Sequence, residues 1–81
     1  MTITVRLFAI LRERAGMSEF ALELPAFATV ATARDALTRQ CPALSDLIAR
    51  VAFAVNREYS PLDAKLQDGD EVAVIPPVSG G

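Results

Sequence analysis

A narrow helical stripe of apolar residues lies near the middle of this sequence, and segments on either side of it alternate with a period of two. Val30, Ala33, Leu37 and Cys41 fall at helical spacing. Thr29 can cap that helix through its hydroxyl, with Thr32-Ala-Arg-Asp35 as a weaker alternative cap. Asp35 and Arg39 are spaced for an acid-before-base pair. Pro42 stops the helix near Gln40, because the residue before a proline resists the α region.

Upstream, Ile3, Val5 and Leu7 alternate with Thr2, Thr4, Arg6 and Phe8, and Phe20, Leu22 and Leu24 alternate with Glu19, Ala21 and Glu23 until Pro25. Downstream, Val51, Phe53 and Val55 oppose Ala52 and Ala54, and Val72 and Val74 oppose Ala73 and Ile75. A short helical turn is predicted over 9–15, closed by Gly16. Leu44, Leu47, Ile48 and Val51 suggest a second short helix, 61–67 reads as a loop or single turn, and Asp68-Gly69-Asp70 is a turn signal.

One helix stripe must be buried, and one sheet face must bury it. The economical arrangement is an α+β fold with one main helix packed across a mixed four- to five-stranded sheet. The first and last strands are expected side by side in its middle. Residues 1–76 then form the folded domain, and 77–81 form a tail that leaves the end of a central strand.

Composition removes several classes of function. Lys and Arg total 8 against 10 for Asp and Glu, a net charge of −2. That balance argues against nucleic acid and against an anionic membrane surface. The chain has no His and one Cys, which denies it a four-ligand zinc site, an imidazole-activated nucleophile and an internal disulfide. No metal or cofactor is expected on this chain. No apolar run is long enough to span a bilayer, and Arg6, Arg12, Glu13 and Arg14 interrupt the first one before it could serve as a signal peptide. A cytoplasmic location is expected.

The segment Pro76-Pro77-Val78-Ser79-Gly80-Gly81 is the informative one. Two prolines end the strand and hold the chain extended, and two glycines remove bulk where it could thread a narrow channel. Residues 77–81 span roughly 15–18 Å when extended, enough to carry a terminal carboxylate into a neighbouring protein. A frayed end is the ordinary alternative. A carboxylate acylates only once activated, and the chain has no phosphate-cradling glycine loop to bind ATP, so activation belongs to a partner.

Phe8, Ala52, Ala54, Ala73 and Ile75 fall on the predicted solvent side and form either scattered exposure or a docking patch at the root of the tail. Asp63, Asp68, Asp70 and Glu71 read as a solvated turn, with a footprint for a basic partner as the alternative. Arg12 and Arg14 are expected in solvent, or against an acidic partner. Cys41 reads as a small core residue rather than a reactive thiol.

Leu7-Phe8-Ala9 with Leu11-Arg12-Glu13, Ala54-Val55-Asn56, Asp68 to Val72, and the Pro-Pro-Val-Ser-Gly-Gly ending together resemble the small subunits of molybdopterin synthase, within the ubiquitin-like sulfur carriers. The resemblance covers most of the chain, and the ending is its specific part. It implies a ubiquitin-like β-grasp fold. It implies that an E1-like adenylyltransferase activates the Gly81 carboxylate with ATP, and that sulfur then gives a C-terminal thiocarboxylate. The arm Pro76, Pro77, Val78, Ser79 and Gly80 would enter the molybdopterin synthase large subunit and donate sulfur to cyclic pyranopterin monophosphate, in a heterotetramer. Phe8, Arg12 and Ile75 would lie at the partner interface. The chain would then be a sulfur-carrying accessory subunit with no self-contained active site. A carrier for thiamin thiazole synthesis and a non-carrier interaction module are the alternatives.

Overall fold

The computed structural model describes residues 1–77; the tail positions Val78, Ser79, Gly80 and Gly81 lie outside the described residues. The alternation at the N-terminus becomes β1 (Thr2–Leu7), in which Ile3, Val5 and Leu7 are buried. A reversal at Phe8 and Ala9 leads into α1 (Ala9–Ala15), which ends on Gly16 at φ 75°, a left-handed C-cap that glycine adopts without a Cβ penalty. β2 (Glu19–Glu23) returns antiparallel to β1. α2 (Val30–Gln40) follows, then 3-10 turns at Pro42–Leu44 and Ile48–Arg50, β3 (Ala52–Val55), β4 (Glu58–Tyr59) and β5 (Glu71–Ile75).

The five strands form one mixed sheet in the order β2-β1-β5-β3-β4. β1 and β5 are parallel neighbours at its centre, as the sequence led us to expect, with Val5 level with Val72 and Leu7 level with Val74. α2 buries Val30, Ala33 and Leu37 in the same core as Ile3, Val5, Leu7, Phe53, Val72 and Val74. Leu11 of α1 and Leu44 of the first 3-10 turn close that core at 0 % exposure. Burying each such side chain stabilises the fold by about 1.5–3 kcal/mol.

Thr29 caps α2, and Thr32 is its partner rather than a rival cap. The Thr29 hydroxyl accepts from the Thr32 amide at 3.4 Å, and the Thr32 hydroxyl accepts from the Thr29 amide at 3.1 Å. Two amides at the helix start are satisfied reciprocally.

Four local expectations change. Asp35 pairs with Arg34 (3.2 Å), its neighbour in sequence, instead of Arg39. The predicted second helix is two separate 3-10 turns, because Pro42 at the start of the first and the extended Val51 after the second leave too few residues for an α-helical run. The third strand starts at Ala52, so Val51 precedes it. β4 was not expected from sequence. It pairs Tyr59 with Ala54 and Glu58 with Val55 through a two-residue turn, Asn56 (φ 50°) and Arg57 (φ 73°), the positive-φ pair of a type I′ hairpin.

Candidate functional site

The site is the end of the sheet from which the last strand departs. β5 runs through the middle of the sheet and passes into Pro76 and Pro77, half-buried and exposed respectively. Neighbours on both sides hold the base of that exit. Ile75 is level with Ala52 of β3, and continuing the β1–β5 register by one residue places Phe8 level with Ile75. The root of the tail therefore has a neighbouring segment on each side, Ala52 of β3 on one and the extended Phe8 after β1 on the other.

The outer sheet face next to this exit is smooth and apolar. Phe8 is 40 % exposed, Ile75 and Ala73 are partly exposed, and Ala52 is exposed. Ala54 departs from its predicted solvent position. It is 6 % exposed yet stands outside the core cluster, since it lies on the outer face between Ala73 of β5 and Tyr59 of β4. Tyr59, 74 % exposed, joins that face and was missed from sequence because the two-residue strand that carries it has no alternation to detect.

Arg6 borders the patch. Its guanidinium lies 5.8 Å from the Phe8 ring centroid and near the carboxylates of Glu71 (3.5 Å) and Glu19 (3.8 Å). These are partly exposed pairs, worth little in stability, and the guanidinium lies over the Phe8 ring at the border of the apolar area. Arg12 is exposed on α1, as expected of a residue in solvent. Arg14 differs: its guanidinium binds Asp46 at 2.7 and 2.8 Å, joining α1 to the segment after the first 3-10 turn. The Asp46 carboxyl is held below its usual range, first by that hydrogen bond and then by the charge of Arg14.

At the opposite end of β5, the acidic turn has a structural task that its sequence did not disclose. Asp68 accepts from the Thr2 amide at 2.7 Å. Asp70 accepts from the Gln67 amide at 2.8 Å and from the Asn56 side-chain amide at 3.0 Å. Gly69, at φ 88°, makes the turn between them. These carboxylates cap backbone donors and fix where β5 begins. Cys41 is half-buried at the end of α2, packed against the core as expected. Among the described residues no three His, Cys, Asp or Glu side chains converge in a way that could hold a metal ion. No helix among them is long and apolar enough to cross a membrane.

A five-stranded mixed sheet that grips one principal helix, with its central C-terminal strand running on into a proline-stiffened tail, is the architecture of the ubiquitin-like β-grasp proteins. The chain belongs to the ThiS family, whose model matches residues 5–81. It is 43 % identical to the molybdopterin synthase sulfur carrier subunit of Chlamydomonas reinhardtii over 83 aligned positions, covering 100 % of both chains. Its fold superposes on the crystal structure of SAMP1 from Haloferax volcanii with a TM-score of 0.90 at 35 % identity, covering 100 % of both chains. A protein–protein complex of subunits 1 and 2 of the molybdopterin-converting factor from Helicobacter pylori contains a chain that matches at TM-score 0.72 and 26 % identity, again with 100 % of both chains covered.

Proposed function

We propose that this chain is the sulfur carrier subunit of a molybdopterin synthase and works in molybdenum cofactor biosynthesis. The observation that carries this is the placement of the tail root. Ile75 sits between Ala52 and Phe8 at one end of the central strand pair, so the root of the tail lies beside an apolar, partly exposed face. Similarity over the whole chain to a named sulfur carrier subunit supports the same function.

In this mechanism the folded body presents and the tail carries. On an E1-like adenylyltransferase the Gly81 carboxylate attacks the α-phosphorus of ATP, forming an acyl adenylate as the α–β phosphoanhydride bond breaks and pyrophosphate leaves. A sulfur nucleophile then attacks the carbonyl carbon, the carbon–sulfur bond forms, and AMP leaves with the electron pair of the broken carbon–oxygen bond. The resulting thiocarboxylate enters the large subunit on the arm Pro76 to Gly80. There its carbon–sulfur bond breaks, sulfur passes to cyclic pyranopterin monophosphate, and water adds to the acyl carbon to restore the Gly81 carboxylate, within a heterotetramer. Threading favours glycine at Gly80, where a Cβ would add width, and prolines at Pro76 and Pro77, which lower the entropy lost on ordering the arm. Phe8, Ile75 and Tyr59 provide buried contact area for the partner subunit, and Arg12 extends the contact onto α1. Cytoplasmic ATP and activating enzyme suit a cytoplasmic location.

Deletion of Gly81 tests this directly. The shortened chain is expected to melt at the same temperature as the full chain and to transfer no sulfur in a synthase reconstituted with the large subunit. Turnover by the shortened chain would remove the proposal.

A further inference from the structure

We infer that a groove at the edge of the molecule, between α2 and the β3–β4 side of the sheet, is a docking site for an extended acidic segment of a protein partner. Two adjoining hollows, of about 220 and 500 Å³, share Arg34, Ile48 and Ala49 in their walls. Together they make one groove that runs from Tyr59 and Leu62, beyond the sheet edge, across the Ile48–Arg50 turn to Arg39 on α2. The groove is open to solvent rather than enclosed, which suits a length of chain rather than a compact small molecule.

Its charge opposes that of the whole protein. The chain is net −2, yet the groove holds Arg34 and Arg39 against the single carboxylate of Asp35. Asp35 does not neutralise Arg34 well, since that 3.2 Å pair is between partly exposed side chains, 32 % and 57 % accessible. Arg39 has no carboxylate within 4.0 Å among the described residues. Two cations over a floor that includes Ile48, Ala49 and Leu62 fit a segment in which carboxylates alternate with aliphatic side chains. Leu62, 44 % exposed, is withdrawn from solvent once the groove is filled, as is the ring of Tyr59, 74 % exposed. Ala73 and Ile75 do not line the groove, whereas Ala52 and Tyr59 belong both to its wall and to the outer sheet face, so the two surfaces meet along that edge. This inference does not depend on the sulfur chemistry.

The test uses the full chain, labelled with nitrogen-15, titrated with a short capped peptide of alternating glutamate and leucine and with its lysine–leucine counterpart. The expected result is saturable amide shifts at Arg39, Ile48, Ala49 and Leu62 with the acidic peptide, and none at Thr4 or Ala73. The Arg34→Glu/Arg39→Glu variant is expected to bind about tenfold more weakly, an effect near 1.4 kcal/mol, and added salt to weaken the wild type. Should the double variant unfold, Arg39→Gln alone, at an exposed position, replaces it with a smaller loss expected in the same direction. Absence of binding, shifts centred on the outer sheet face, equal affinity for the basic peptide, or unaltered binding by the folded variant would each overturn the inference.

Discussion

Asn56 donates its side-chain amide to Asp70 at 3.0 Å and accepts from the Glu71 amide at 3.0 Å, so the hairpin turn between β3 and β4 is bolted to the start of the strand that carries the tail. Asn56 also holds φ at 50°. Two separable contributions meet in one residue. Asn56→Gly is expected to cost about 1–2 kcal/mol by losing the hydrogen bonds while keeping the backbone at ease. Asn56→Ala is expected to cost about 1 kcal/mol more, because alanine resists the left-handed region. Denaturant unfolding of both variants checks the order, and equal losses would show that the turn conformation carries no penalty.

Leu37 is the largest fully buried side chain of α2, 1 % exposed. Leu37→Ala is expected to destabilise by about 2–5 kcal/mol through lost burial and the cavity left behind. In a domain of 81 residues that is a large part of the total, so the unfolding midpoint in urea should fall sharply. A loss under 1 kcal/mol would mean that the helix collapses onto the sheet far more easily than this packing suggests.

The Arg14–Asp46 pair makes a pH prediction of definite sign. The Asp46 carboxyl is depressed in the folded chain, so its contribution is present at neutral pH and fades as pH falls from its ordinary 3.8 through the lowered folded value. The site is exposed to solvent and the effect on stability is small and salt-sensitive. Titration of the Asp46 carboxyl by carbon-detected NMR should give a higher midpoint in Arg14→Ala than in the wild type. Identical midpoints would exclude the hydrogen bond as the cause.

For docking, Ile75→Asp is the informative change. Ile75 is partly exposed on the outer face, so an acidic replacement should leave the melting temperature within a few degrees and weaken binding of the large subunit tenfold or more, by about 1.4 kcal/mol. Isothermal titration calorimetry against the large subunit measures it. Unchanged affinity would move the interface elsewhere.

Much of this architecture was legible in the sequence. Val30, Ala33 and Leu37 announced α2, Thr29 its cap, Gly16 and Gly69 the left-handed turns, and the alternating ends the central β1–β5 pair. The rest depended on contacts between residues far apart. β4 is two residues long and is held by a turn without glycine, so neither period nor composition marked it. Asp68 and Asp70 look like any solvated acidic turn until the amides of Thr2 and Gln67 arrive beside them. Arg14 had no partner in the sequence until Asp46 was brought opposite α1. At the site, Phe8 and Ile75 were readable from strand phase, whereas Tyr59 required knowledge of β4. Gly80 and Gly81 stand on sequence resemblance, beyond the described residues.

Gly80→Ala narrows the question of why the tail ends as it does. A methyl group there should lower the sulfur-transfer rate strongly while leaving the fold and the docking affinity unchanged, since it adds width only where the arm is threaded. A transfer assay beside a binding isotherm separates the two effects. Full activity would mean a channel roomier than two glycines require.

Intact-mass measurement of the chain, after incubation with ATP, a sulfur donor and its cognate activating enzyme, puts the carrier function to its most direct test. The expected product is heavier by the replacement of one oxygen with sulfur, the change maps to Gly81 on fragmentation, and the chain lacking Gly81 gains nothing. An unchanged mass under conditions that load another carrier of the family, or sulfur found on any residue other than Gly81, would contradict it.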